Sequence, residues 1–148
     1  MGFVQHTIHI AALPTHVFDL LTDTARFPNW KDGVLAVHDA PAALDHAGTG
    51  YTAAMRAFPI GPTVQCRFEM TRVERPSLLV QHGRTPAGPT ISTDRLRPVD
   101  GGRELAVTVD YKLRGGPLWR IADALVMRRM LAHAIACSLV KLKTLAEA

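Results

Sequence analysis

The sequence predicts an α+β domain in which a curved, seven-stranded antiparallel sheet wraps around a long carboxy-terminal helix. Beyond residue 33 the chain divides into short segments of alternating apolar and polar residues, separated by turns rich in Gly and Pro. From Leu118 to Glu147 there is neither Gly nor Pro, which favours one long helix. The 148 residues are 47% hydrophobic and 20% charged, which suits one folded domain over residues 1–148.

The amino-terminal part predicts one strand followed by two short helices. Apolar and polar residues alternate in Phe3–Ile10, as in a strand with one buried face. Pro14 suits the first position of a helix, because its missing N–H has no intrahelical partner there. Asp23 can cap a second short helix, which Pro28 is expected to end.

Six further strands are joined by short turns, so we expect an antiparallel meander. These strands are predicted at Gly33–His38, Thr49–Phe58, Thr63–Glu74, Leu78–Arg84, Thr90–Arg97 and Glu104–Leu113. Asp100-Gly101 lies between the last two, and Asp-Gly in a short loop is a hairpin signal. A sheet with one apolar face needs a cover, and the closing helix is the only predicted element long enough.

The closing helix carries two differently oriented apolar faces. One seam in its second half is formed by Leu131, Ile135, Ser138, Leu142 and Leu145. A second face in its first half is formed by Leu118, Ile121, Ala122 and Leu125. We therefore expect either a bend near residues 128–130 or a first half that contacts something other than the sheet.

Charge and motif content exclude several classes of protein. The formal net charge is +4, but the basic residues are scattered and no nucleic-acid-binding motif accompanies them. The two cysteines lie far apart and the seven histidines have no metal-ligand spacing, so neither a metal nor a cofactor is expected. No stretch approaches the roughly 18 apolar residues of a membrane span, and the amino terminus does not read as a secretory signal. These features predict a cytoplasmic protein without an integral membrane segment or a nucleic-acid partner; a homodimer is compatible with them.

The segment from Val17 to Trp30 contains a Val-Phe pair, an Asp and a Trp after a short helix. Further motifs are Gly48-Thr49-Gly50, Glu74-Arg75-Pro76 with Leu78-Leu79, and Ser138-Leu139-Val140-Lys141-Leu142-Lys143. In this order and spacing the motifs resemble the START-like superfamily known as SRPBCC, of the polyketide cyclase/dehydrase and lipid-transport type. The helix start, Ala12-Leu13-Pro14, departs by one residue from the family's Ala-Pro pattern. The resemblance covers nearly the entire chain.

The resemblance implies the helix-grip fold and a deep apolar cavity for a hydrophobic small molecule. It does not imply catalysis, because the superfamily includes lipid carriers, aromatase/cyclases and chaperone activators that share no catalytic motif. The many Ala residues and adaptable Met residues of the predicted interior also favour a cavity. Tight packing of the same residues into a solid core is the alternative.

Strand phase predicts which side chains line this cavity. The predicted ligand-binding residues are Phe27, Trp30, Tyr51, Met55, Cys66, Phe68, Met70, His82, Arg84, Val109, Tyr111 and Leu125. For the strand at 90–97 the phase stays open: either Thr93 and Arg95, or Ser92, Asp94 and Leu96, point inward.

His82 and Arg84 are polar members of an otherwise apolar face. A buried polar side chain without a hydrogen-bond partner lowers the stability of the fold by about 1–3 kcal/mol, so a ligand oxygen is a candidate partner for each of them. The alternative is that both lie at the water-accessible rim of the sheet. In a catalytic protein, His82 would be the acid/base, because histidine is the side chain type whose unperturbed pKa lies nearest neutrality. Arg84 or Arg95 would stabilise an enolate, and a tyrosine such as Tyr51 would orient the substrate.

Three functions remain open at this point. The first is binding or transport of a lipid-like or aromatic molecule. The second is cyclase, aromatase or dehydratase activity on a polyketide-like substrate. The third is a protein-interaction module without a ligand, which would show a filled core and a large exposed apolar patch.

Overall fold

The computed structural model describes residues 2–56, 62–86, 88–112 and 117–148, with the backbone alone for 117–120 and 122–124. The strands are β1 (Gly2–Ile10), β2 (Val34–His38), β3 (Gly50–Met55), β4 (Val64–Glu74), β5 (Leu78–Thr85), β6 (Gly88–Val99) and β7 (Gly102–Tyr111). The helices are α1 (Pro14–Thr22), α2 (Phe27–Trp30) and α3 (Pro117–Glu147). The predicted strand ends at Phe58 and Leu113 lie outside the described residues.

Over the described residues the strands form one seven-stranded antiparallel sheet in the order β1-β7-β6-β5-β4-β3-β2. Strands β2 to β7 follow one another as the predicted meander. Strand β1, the first in the chain, pairs with β7, so that Gly2 lies opposite Tyr111. The predicted fold class is confirmed: a long closing helix, a sheet of seven strands and two short helices between the first and second strands.

Short polar contacts fix the two helices that precede β2. The Asp23 side chain accepts a hydrogen bond from the Ala25 N–H at 3.2 Å and thereby caps a short 3-10 turn, Thr24–Arg26, which leads directly into α2. Pro28 lies inside α2, near its start, so the prediction that it ends the helix is wrong. A proline is tolerated in the first helical turn because N–H groups there have no intrahelical acceptor.

Helix α3 covers the sheet through its second half. Ile135, Leu139, Leu142 and Ala146 are buried in the hydrophobic core, and the helix packs against β1, α1 and α2. The Ser138 hydroxyl donates to the Ala134 carbonyl oxygen and accepts from the Asp32 N–H, both at 2.7 Å. This seam therefore holds α3 against both the sheet and the chain segment after α2.

The first half of α3 is exposed on the face that is buried further along. Ile121 and Leu139 are 18 residues apart, which is about five helical turns, so they lie on the same face. Leu139 is 2% exposed, whereas Ile121 is 66% exposed. In the described part of the chain this face is therefore uncovered at Ile121 and Leu125, whereas Met127 and Leu131 pack partly buried against the core. A bend near residues 128–130 and a contact with something other than the sheet both stay predictions. Leu118 and Ala122 of the same predicted face lie outside the described side chains.

Candidate functional site

Residue pairs across the centre of the sheet identify its concave face. Met70 pairs with Gln81, Gln81 with Ser92, and Ser92 with Val109. Directly paired residues of antiparallel strands project to the same side. Because Met70 and Val109 are buried in the core, Gln81 and Ser92 lie on the inner, concave face too.

The next row of pairs places a carboxyl group on this face. Asp94 pairs with Leu79 on one side and with Val107 on the other, and both apolar partners are buried in the core. Strand β6 therefore turns Ser92, Asp94 and Leu96 inward, which resolves the phase that the sequence leaves open.

The polar residues predicted on the inner face of β5 lie on the outer face. His82 pairs with the exposed Glu69 and is itself exposed, and Arg84 is likewise exposed. The predicted inward orientation of His82 and Arg84 is therefore wrong, and so is the alternative in which Arg95 points inward, because Arg95 is exposed.

A local irregularity accompanies this difference in phase. The register of β4 against β5 shifts between Met70 and Arg72. Adjacent Leu78 and Leu79 allow two strand phases from sequence alone. The pairing selects the phase in which Leu79, Gln81 and Gly83 face inward.

An aromatic wall of Phe27, Trp30, Tyr51 and Phe68 closes one side of the concave face. The Tyr51 and Phe68 rings stack with centroids 5.1 Å apart, and Phe27 meets Tyr51 edge-on at 5.1 Å. Phe27 and Trp30 form a further edge contact at 5.8 Å. All four side chains are buried. All four belong to the set of residues predicted to bind a ligand, and that role stays a prediction.

Gly83 makes room for this wall. A Cβ atom at position 83 would lie 2.7 Å from Cε1 of Phe68, well inside van der Waals contact. Glycine inside a strand commonly marks such a close approach. The Phe68 ring therefore occupies the space that a side chain at 83 would need, and the stack with Tyr51 depends on it.

The aromatic wall holds a lysine that the sequence analysis does not select. The Lys31 Nζ atom lies 4.1 Å from the Phe27 ring centroid and 5.2 Å from that of Trp30, within cation–π range. Lys31 donates a hydrogen bond to the Tyr51 hydroxyl oxygen at 3.3 Å. That hydroxyl in turn donates to Oε1 of Gln81 at 3.2 Å. Lys31, Tyr51 and Gln81 thus form one polar chain from α2 to the centre of the sheet.

Asp94 supplies the opposite charge. Burial raises the pKa of its carboxyl group to about 6, and the nearby positive charge of Lys31 partly offsets this rise. Over the described ranges, its oxygens form no hydrogen bond or ion pair with another side chain. A carboxyl group with this pKa exchanges protons near neutral pH and either donates or accepts a hydrogen bond.

Two further polar atoms lie buried without a partner in the part of the chain that the structure describes. They are Nε1 of Trp30 and the hydroxyl oxygen of Tyr111. The Tyr111 ring lies over Gly2, whose missing side chain leaves space for it. Of the two, Trp30 belongs to the aromatic wall beside Lys31, so its N–H adds a donor to that group.

The remaining predicted ligand-binding residues divide into two groups. Cys66, Met70 and Val109 are buried in the core, with Met55 packed partly buried against it. Burial raises the pKa of the Cys66 thiol, which disfavours the reactive thiolate. Leu125 does not join them: it is 62% exposed, because it lies on the uncovered first half of α3.

Sequence reasoning missed Lys31, Gln81 and Asp94 for identifiable reasons. Lys31 precedes Asp32-Gly33, so it reads as part of a polar turn. Gln81 faces inward only in the phase of β5 opposite to the predicted one, which has His82 and Arg84 inward. Asp94 appeared only within an open alternative, and its pairing with Leu79 and Val107 was the missing information. The glycine at position 83, inside a strand, was the one available signal of a close approach on that face.

The family described as polyketide cyclase / dehydrase and lipid transport matches residues 1–147. Among curated proteins no match was found. A crystal structure of a Rhodobacter sphaeroides protein shares 25% identity and a TM-score of 0.71, covering 97% of this chain and 91% of that one.

Two structurally similar proteins have descriptive titles. The Zhui aromatase/cyclase from a Streptomyces species has 16% identity and a TM-score of 0.73, covering 98% of this chain and 93% of its own. The di-domain ARO/CYC StfQ of the steffimycin biosynthetic pathway has 13% identity and a TM-score of 0.79, covering 98% of this chain and 50% of its own. At these identities the likeness shows a shared fold.

Proposed function

The chain belongs to the polyketide cyclase / dehydrase and lipid transport family, and from this premise we propose that it binds a hydrophobic small molecule with one oxygenated end. The proposed site lies between the concave face of the sheet and α3. The body of the ligand packs on the aromatic wall and on the apolar core residues beside it, such as Met70 and Val109. Aromatic and aliphatic lining with a few placed polar groups is typical of small-molecule sites.

Lys31 carries the proposal. Its ammonium group has three donors, and over the described residues it uses one of them, on Tyr51. The neighbouring aromatic faces stabilise the positive charge and orient the group. A ligand carbonyl, hydroxyl or carboxylate oxygen satisfies the free donors, and Gln81 and Asp94 supply further polar contacts beside it.

The exposure of the inner polar side chains supports an open space. Gln81, Ser92 and Asp94 keep some accessible surface, although Met70, Val109, Leu79 and Val107, which pair with them on the same face, are buried. Lys31 beside them is half-buried as well. Side chains that line an internal opening combine a deep position with residual accessibility. Residues of α3 such as Met127 and Leu131 pack only partly buried against the core on this side.

Native mass spectrometry of the purified protein tests the proposal directly. We expect wild-type protein to retain an apolar molecule of a few hundred daltons. Lys31→Met should lose it, because the long apolar side chain keeps the packing and removes the charge. Lys141→Met, which removes an exposed lysine of α3, is the matched control and should retain the molecule.

If the wild-type protein purifies without a ligand, its affinity for the dye anilinonaphthalene sulfonate, which joins an apolar ring system to an oxyanion, is measured instead. The affinity of Lys31→Met for the dye should be about 10- to 100-fold lower, because a charge-assisted hydrogen bond is lost, whereas Lys141→Met should bind the dye as wild type does. Equal affinities of wild type and Lys31→Met would refute Lys31 as the polar end. Failure of wild type to retain or bind any apolar molecule would refute the binding function.

A cyclase or aromatase function is the second candidate, and Asp94 is the observation that favours it. A carboxyl group with a pKa of about 6 serves as a general acid and base near neutral pH. Lys31 would stabilise an enolate and Tyr51 would orient the substrate. Asp94 and Lys31 thus take the roles that the sequence analysis gave to His82 and to Arg84 or Arg95.

Asp94→Asn separates catalysis from binding. Turnover of a poly-β-ketone substrate should fall by about 100-fold or more, while affinity for the dye changes little. His82→Ala, on the outer face, is the control and should keep its turnover. If Asp94→Asn turns over the substrate as wild type does, the carboxyl group is not the acid/base.

A further inference from the structure

An apolar patch lies on the uncovered first half of α3. Ile121, Leu125 and Val126 are 66%, 62% and 54% exposed, and Arg128 and Arg129 beside them are exposed as well. We call these five residues the α3 patch. At about 100° per residue, four of them, all but Val126, fall within an arc of about 100° on the helix. Three large apolar side chains are thus presented to solvent together with two guanidinium groups.

The charge of this stretch of helix is mainly positive. Between residues 120 and 146 there is one acidic residue, Asp123, against the basic residues Arg120, Arg128, Arg129, Lys141 and Lys143. Exposed apolar side chains with basic residues beside them favour binding to the interface of an anionic membrane, through apolar burial and charge attraction. Phosphate groups of anionic lipids are bound well by arginine, whose guanidinium forms paired hydrogen bonds with them.

We propose that the α3 patch docks the protein on an anionic lipid surface. Ile121, Leu125 and Val126 enter the interfacial layer, and Arg128 and Arg129 bind the lipid phosphates. A second copy of the chain fits this patch less well. A symmetric contact would bring four arginines together, and each copy has only one acidic residue, Asp123, between residues 120 and 146 to set against them.

The proposal goes beyond the proposed function and is tested without any interior ligand. Wild-type protein is mixed with vesicles of phosphatidylcholine alone, or of phosphatidylcholine and phosphatidylglycerol at about 7:3, and bound protein is measured by flotation. We expect binding to the anionic vesicles only, weakened by added salt. At roughly fivefold per basic residue, the double variant Arg128→Gln/Arg129→Gln should bind about 30-fold more weakly. Leu125→Ser should also weaken binding by removing apolar contact.

The double variant Arg84→Gln/Arg95→Gln is the matched control, because it removes the same net charge from the outer face of the sheet. It should bind as wild type does, and circular dichroism should show that every variant is folded. Equal losses in the two double variants would overturn the proposal in favour of nonspecific attraction. Absence of binding to anionic vesicles would overturn the proposal too. If wild type also self-associates in size-exclusion chromatography and Leu125→Ser abolishes that association, the patch is instead a contact between two copies of the chain. None of these outcomes changes the expected retention of an interior ligand by Lys31, so the two proposals fail independently.

Discussion

Asp94 places an ionisable group among apolar neighbours, and its proton affinity is coupled to folding. Its pKa rises from an ordinary value of 3.8 to about 6 in the folded protein, mainly through loss of hydration. Folded protein therefore binds this proton more tightly than unfolded protein does. The stability that results is fully present below about pH 4 and is lost as the pH rises through about 6.

Urea unfolding between pH 4 and 7.5 measures this coupling. The free energy of unfolding of wild type should fall relative to that of Asp94→Asn across the window, by up to about 2–3 kcal/mol. The comparison cancels other titrating groups, because both proteins share them. Parallel curves for the two proteins would contradict the assignment of this proton to Asp94.

Single residues were the least predictable part of the site. Phe27, Trp30, Tyr51 and Phe68 were found because aromatic residues in phase with a strand or beside a short helix are expected to be buried. Lys31 could not be found in the same way, since a lysine in a turn is normally solvated. Its position depends on three aromatic rings that come from α2 and β3 only in the folded protein.

Among the elements, α3 combines two environments on one continuous helix. Its second half is buried against the sheet and tied to the segment after α2 by the Ser138 hydroxyl. Its first half presents the same face to solvent. Burial of an apolar face, which provides most of the stability of helices in proteins, therefore acts mainly on the second half.

A pair of alanine substitutions tests this division. Leu139→Ala should lower the free energy of unfolding by about 2–5 kcal/mol, because it removes a buried side chain and leaves a cavity. Ile121→Ala, five turns earlier on the same face, should change it by less than about 0.5 kcal/mol. Urea denaturation of both variants gives the comparison. A similar cost for the two would mean that Ile121 is covered in solution.

The strands differ in how far the sequence determines their phase. Strands β4 and β7 alternate cleanly, and their predicted inward residues, such as Phe68 and Val107, are indeed buried. Strand β5 begins with two adjacent leucines, and its inner face carries Gln81 and Gly83 rather than apolar side chains. The alternation of apolar and polar residues therefore does not identify the inner face of β5. Pairing with β4 decides it, and a pairing register is a property of two strands together.

At the scale of the whole molecule, order and type of elements followed from the sequence. Turn residues separated the strands, and the absence of Gly and Pro marked the last helix. Strand adjacency was predictable for β2 to β7, because short turns join neighbours in space. The cavity predicted beneath α3 stays a prediction, since it depends on the curvature of the sheet and on where the helix lies. In the part of the chain that the structure describes, no helix is long and apolar enough to cross a membrane.

Placing β1 beside β7 has a consequence for biosynthesis. Residue 2 lies opposite residue 111. The other end of β1 is tied to α3, because Lys143 donates to the His9 carbonyl oxygen and Glu147 accepts from the Ala11 N–H. On a ribosome the earliest strand therefore emerges long before its partners exist. Closing so long a loop costs entropy and slows folding. The nascent chain must keep this strand unpaired until most of translation is complete, so the edge of the sheet forms last.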